Sequence, residues 1–149
     1  MLTARQTRGF AEVTLRRGRG EDAMTVKLYL TITAIVAVLY GLGFVLIPAS
    51  LVPLYGAPTE PHVILNAQFF GSALLALAVI TWFAKDFRDW DAVRGVLVGI
   101  VVTDVVGGLL SIWATTTGVL NAFGWSSMIV YVLLLVGALY SLWTRPQKA

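Results

Sequence analysis

The sequence predicts an all-α membrane protein, a bundle of four transmembrane helices with both termini in the cytoplasm. Three observations lead there. Of 149 residues, 58% are hydrophobic and 13% charged, where soluble domains carry about 25% charged residues. The apolar residues gather in four long runs, each sufficient for a helix of roughly 20 residues to cross the hydrocarbon core. The basic residues fall only on segments that this topology places on one side. Mean hydropathy is +0.81. A soluble globular domain, a disordered tail and a secreted mini-protein are excluded.

Residues 1–23 are polar and basic, and read as a flexible cytoplasmic tail. Its arginines act as orientation signals, and each adds about 1 kcal/mol of attraction to an anionic membrane surface. Met24, just before the first apolar run, is an alternative start. Arg16 and Arg17 are followed by GRGED rather than an apolar stretch, so they do not read as an export signal. The first span covers about residues 26–47. It runs into a proline-containing loop without a small-residue cleavage pattern, so it reads as a span and not a cleaved leader.

The following loop, residues 48–61, carries Pro48, Pro53, Pro58 and Pro61. Proline fixes φ and removes a donor, so the loop is expected as a stiff, turn-rich cap without helix. Its Leu51, Val52, Leu54 and Tyr55 should fold onto the bundle. Glu60 and His62 stand at its end as a candidate ion or proton site at the outer surface. The alternative is a solvated pair opening the next helix, with Glu60 favoured near the positive helix terminus.

The second span covers about residues 62–84. The short KDFRDWDAVR loop alternates in charge, and Asp89 or Asp91 is placed to cap the third helix. The third and fourth spans cover about residues 92–116 and 121–143, with residues 145–149 as a cytoplasmic C-terminal tail. A β-barrel would show short alternating segments instead. Helices also satisfy the backbone where lipid offers no partner.

Orientation follows from the charges. Arg5, Arg8, Arg16, Arg17, Arg19 and Lys27 flank the first span. Lys85, Arg88 and Arg94 lie in or beside the second loop, and Arg145 and Lys148 follow the fourth span. The other two loops have no Lys or Arg. Positive loops stay inside, so an N-in, C-in protein of the bacterial inner membrane is expected. Trp82, Trp90 and Trp143 then fall at the inner interface, and Trp113 and Trp125 at the outer one, where tryptophan anchors.

Asp104 is the only acidic residue expected deep within a span. It lies about twelve positions from each end of the third span, about 18 Å at the helical rise. Such a residue costs roughly 2.5–3.5 kcal/mol to insert, so it should face the bundle. Depth matching groups it with Gln68 and Ser72 on the second span, Tyr40 on the first and Tyr131 on the fourth. These five form the candidate ligand or proton site. The alternative role for Asp104 is a structural hydrogen-bond anchor between helices. Gly95, Gly99, Thr103, Gly107 and Ser111 recur every fourth position on the third span. Small residues let helices approach closely in lipid, and contacts within the chain are the expected use. Ala34, Ala37 and Gly41, then Ala67 with Gly71 and Ser72 with Ala76, extend this pattern to the first two spans.

The sequence holds no cysteine and only one histidine. Disulfides, thiolate metal sites and bis-histidine haem are thereby excluded, and no metal site or cofactor is indicated. No phosphate-binding loop, zinc motif or nucleophile elbow is present. A net charge of +3 held at membrane flanks does not indicate nucleic acid as a partner. The expected partners are the lipid bilayer and either further copies of this chain or a larger membrane complex.

The stretch GVLNAFGWS at residues 118–126, followed by an apolar run with Tyr131, resembles small bacterial four-span proteins of the DoxX-like membrane family. Pro48, Tyr55 and Gly56 in the first loop and FFGSALLALAVITWFA in the second span share that style. The resemblance covers about residues 24–143 and consists of hydropathy and small-residue spacing. It implies a four-helix membrane subunit linked to quinone or sulfur redox systems, and it transfers no catalytic residue. Lacking cysteine, this chain departs from any thiol-based version of that role. The leading expectation is a structural or accessory membrane component without catalysis of its own. The alternatives are a small-ligand or proton-coupled carrier using Asp104 and, from the resemblance, a quinone-linked redox subunit.

Overall fold

The computed structural model describes the backbone of residues 4–144 and the side chains of residues 24–144. Among these residues the chain is helical and contains no strand. Helix α1 spans Ala4–Leu46, α2 Pro48–Leu51, α3 Pro61–Ala84, α4 Trp90–Thr116 and α5 Gly124–Trp143. A 3-10 turn, Val52–Tyr55, follows α2. Four segments are long and apolar enough to cross a membrane: Met24–Leu46 within α1, and α3, α4 and α5 in full. This architecture is that of an integral, multi-pass membrane protein. The side chains of residues 4–23, with their arginines, lie outside the described residues, as do residues 145–149 with Arg145 and Lys148.

The helix ends follow local chemistry. Asp89 caps α4: its carboxylate accepts from the Asp91 backbone N–H at 3.2 Å, satisfying a donor that the first turn leaves unpaired. Helix α4 therefore begins two residues before the expected span. Helix α5 begins three residues later than expected, because residues 121–123 form a turn in which the Asn121 side chain accepts from Phe123 N–H at 2.8 Å.

The proline-rich loop is more helical than its composition predicts. Pro48 opens α2, Pro53 is the second residue of the 3-10 turn and Pro61 opens α3. A first-turn position needs no N–H donor, and the fixed φ suits it, so prolines that forbid helix interiors here start short helices. Gly56 ends the turn at φ 81°, a left-handed conformation that glycine adopts freely.

Helices α1 and α3 pack along each other as one hairpin, and α4 and α5 as a second. The hairpins meet less extensively, along α1–α5 and α3–α4. One tie joins the two hairpins, and another closes the first of them. At the cap end, Asn121 donates its side-chain amide to Leu54 C=O and its backbone N–H to Tyr55 C=O, both at 2.9 Å. The Tyr55 ring meets Phe123 edge-on at 5.1 Å. At the opposite, basic end, the Lys27 ammonium reaches the Asp86 carboxylate at 2.7 Å. That hydrogen bond holds the Asp86 carboxyl below the usual carboxylate range. Lys85 lies over the Trp82 ring at 3.6 Å, joining cation to π face.

The dense core fills the basic half. Leu30, Leu97, Ile100 and Ala138 are almost fully buried there, with Val26, Tyr29, Ala84 and Val93 around them. The outward faces carry large apolar side chains such as Phe69, Leu109, Leu133 and Val136. So extensive an apolar surface suits a lipid environment and would aggregate in water. Trp82 and Trp143 at the basic end, and Trp113 and Trp125 at the cap end, are exposed, as interfacial anchors require.

Candidate functional site

The cap half of the bundle is hollow. A cavity of about 420 Å³ lies between the two hairpins, within the size range of small-molecule sites, roughly 300–1,000 Å³. Its closed end is made by Val52, Tyr55 and Ala57 of the cap, and its floor by Thr33, Leu77 and Leu134. Leu77 and Leu134 also pack against the basic-half core, so the floor is where dense packing stops. The walls are mostly apolar, and no lining residue carries a charge.

Polar groups enter this space at few points. Tyr40, Asn66 and Tyr131 line it and make no hydrogen bond with any described side chain or backbone group. The Tyr55 hydroxyl is engaged, accepting from Ser127 at 3.3 Å. The two threonines at the deep end are spent locally. Thr33 donates to Tyr29 C=O at 3.0 Å, and Thr103 to Gly99 C=O at 3.0 Å. The unsatisfied hydroxyl and amide groups thus belong to Tyr40, Asn66, Tyr131 and Ser111.

Asp104 is buried, with 4% of its surface exposed, and its Oδ2 has no hydrogen-bond partner. It faces the bundle as a midplane carboxyl must, on the buried α4 face that also carries Leu97, Ile100, Gly108 and Ser111. It does not line the cavity. The hydroxyls of Tyr29 and Tyr131 lie within electrostatic range of it. Both rings rest on glycine. A Cβ at Gly107 would stand 2.5 Å from Tyr131 Cζ, and one at Gly137 2.5 Å from Tyr29 Cε2. Each glycine therefore gives a tyrosine ring a seat on the neighbouring helix. The Tyr29 hydroxyl donates to Leu134 C=O at 2.9 Å.

Of the five residues grouped by depth, the structure brings Tyr40 and Tyr131 to the cavity and sets Asp104 beside Tyr131. It does not bring Gln68 or Ser72 to them. Gln68 donates to Val45 C=O at 3.3 Å, stitching α3 to α1, and Ser72 is exposed and donates to Phe69 C=O on its own helix at 2.8 Å. Sequence reasoning missed Tyr29 because it compared Cα depths. Side chains on a helix lean towards its N-terminus, which carries the Asp104 carboxyl towards the basic end. Asn66 lies closer to the outer surface than these residues, and it lines the cavity because the hollow half reaches that level.

The small-residue pattern divides. Gly107 and Ser111 face inward, Gly107 under Tyr131 and Ser111 at the cavity wall. Gly95 and Gly99 do not pack within this chain: a Cβ at either would meet open space. Gly95 stands nine residues from Asp104, half a helical revolution at 3.6 residues per turn, so burial of one face leaves the other outside. The close helix crossing lies instead between α1 and α3. There a Cβ at Gly71 would stand 2.8 Å from the Gly41 carbonyl oxygen. Glu60 and His62 approach at 3.4 Å, with both side chains well exposed, as a solvated pair does. Among the described residues no group of three His, Cys, Asp or Glu is placed to hold a metal.

No protein-family model, curated protein or solved structure matches the chain.

Proposed function

We propose that this protein binds a small lipophilic molecule in the cavity between its hairpins. One observation carries the reading: Tyr40, Asn66 and Tyr131 present unsatisfied hydrogen-bonding groups to an otherwise apolar space. Ligand sites combine an apolar lining with a few convergent polar groups in this way. Purification in mild detergent, solvent extraction and mass spectrometry should recover a stoichiometric lipophile. Ala67→Phe, which fills the cavity from its wall, should abolish recovery. Tyr131→Phe, which removes one hydrogen bond worth about 1 kcal/mol, should weaken rebinding severalfold. Empty preparations under all detergents would overturn the reading. Recovery of a quinone would extend it to a redox subunit.

A second reading, an accessory component of a larger assembly or homo-oligomer, draws support from Gly95 and Gly99. They leave a small-residue face of α4 open to another helix. For orientation, the basic end carries Lys27, Lys85 and Arg88, whereas the two cap-end loops have no Lys or Arg. This supports a cytoplasmic basic end and cytoplasmic termini in a bacterial inner membrane. Reporter fusions within residues 48–61 should read outside, and fusions after Trp143 cytoplasmic; the reverse would overturn it.

A further inference from the structure

We infer that the cavity is loaded sideways from the bilayer, through a mouth between α3 and α4, and that its ligand is an amphiphile with an uncharged headgroup. This rests on the ligand-binding reading above.

The route follows from exposure. Along α1 the lining residues Thr33 and Ala37 are buried. On α3 and α4, Asn66, Phe70 and Thr103 line the cavity and are nevertheless exposed. A wall that is both lining and exposed is an edge of an opening. These two helices are joined by residues 85–89 at the basic end and have only limited contact beyond it. The outer surface of both helices is apolar, with Phe69 and Leu109 exposed.

The cap stands across the aqueous route. The cap is tied across the hairpins by Asn121 to Leu54 and Tyr55, and the Tyr55 ring sits between Phe44 and Phe123 at 6.3 and 5.1 Å. Gly56 and Asn121 are packed so that a Cβ on the glycine would lie 3.1 Å from Asn121 Cβ. A ligand arriving from water would have to break this tie.

The headgroup follows from the lining. With no charged residue in the wall, a buried phosphate or carboxylate would have no counter-charge, which is costly in an apolar site. A hydroxyl or carbonyl would find Tyr40, Asn66 and Tyr131. These lie towards the cap, and the apolar Leu74, Leu77 and Leu134 lie deeper. The polarity therefore runs from cap to midplane, as it does in a lipid of the leaflet on that side. An amphiphile can slide in without turning over.

The test uses the full chain in phosphatidylcholine vesicles with two photoreactive probes, a diazirine-tagged hexadecanol and a diazirine-tagged palmitate. The alcohol should label the cavity-facing segments of α1, α3 and α5, and the palmitate much less. Thr103→Trp, which narrows the mouth, should slow loading at least severalfold at an unchanged melting temperature. Phe70→Ala, which widens it, should speed loading, and serves if the tryptophan variant does not fold. Asn121→Ala should leave the loading rate unchanged. Labelling by neither probe would remove the ligand-binding reading itself. Equal labelling by palmitate would overturn the neutral headgroup. Loading that ignores both mouth variants but accelerates in Asn121→Ala would overturn the lateral route while leaving binding intact.

Discussion

Replacing Gly71 by valine is expected to be the most damaging single substitution in the membrane-spanning part of the chain. The first atom added would stand 2.8 Å from the Gly41 carbonyl oxygen and 2.9 Å from Phe44 Cβ. The first is backbone, and neither can rotate away, so relief requires α1 and α3 to separate. Close approach supplies much of the association energy of membrane helices, because lipid gives no hydrophobic drive. Overpacking a well-packed site costs about 1–3 kcal/mol and sometimes more, and two β-branched methyls put Gly71→Val at or above the top of that range. Thermal unfolding in detergent, followed by loss of helical signal, should show the loss. Gly95→Ala is the control of opposite sign. Its new methyl meets nothing, and alanine favours a helix over glycine by up to about 1 kcal/mol, so stability should hold or rise. Gly95→Leu separates self-association from folding. It should leave the melting temperature near the parent value, and it should lower the oligomer fraction if copies meet through that face. If Gly95→Ala damaged the fold as much as Gly71→Val, the placement of both glycines would be wrong.

Asp104→Leu is expected to stabilise the protein by about 1–3 kcal/mol, the cost of a buried polar group left unpaired. Leucine resembles aspartate in shape, and it removes a residue whose insertion at the helix centre is itself unfavourable by roughly 2.5–3.5 kcal/mol. The sign decides between two roles. An interhelical anchor would lose its hydrogen bond in this variant, and the fold would weaken. In the structure Asp104 Oδ2 is buried without a partner, and no hydrogen bond ties the residue to another helix among those described. A raised melting temperature with altered ligand binding would mark a carboxyl kept for function at the expense of stability. A lowered melting temperature would restore the anchor.

The four spans were legible because length and hydropathy are properties of a segment alone, and Asp104 was legible as inward-facing for the same reason. What depends on two segments was harder to read. Gly95 and Gly99 look in sequence like a contact, and Gly41 with Gly71 looks no stronger. Which pair meets depends on which face of each helix turns inward. The prolines of the first loop were read by their usual effect, and their position at helix starts reversed it. The cavity had no sequence signature at all. It is the space left between side chains from the four spans and the cap, and Tyr40, Asn66 and Tyr131 acquire a common role only because the hairpins part there.

The parting of the hairpins also bears on the order in which the chain assembles. Within each hairpin, the partners are neighbours in sequence and can pair as soon as both helices have entered the bilayer. The Asn121 tie to Leu54 and Tyr55 spans 67 positions from side chain to carbonyl, and the Lys27–Asp86 pair spans 59. The first needs the second and third spans to be in place, whereas the second closes across the open end of the first hairpin as soon as its two helices are in. Loop closure of that length is paid in entropy before any contact rewards it. The Asn121 clasp should therefore form last in assembly and open first in native-state hydrogen exchange. Tyr55 and Asn121 would mark the final step, and the glycine crossing of α1 and α3 would mark the earliest.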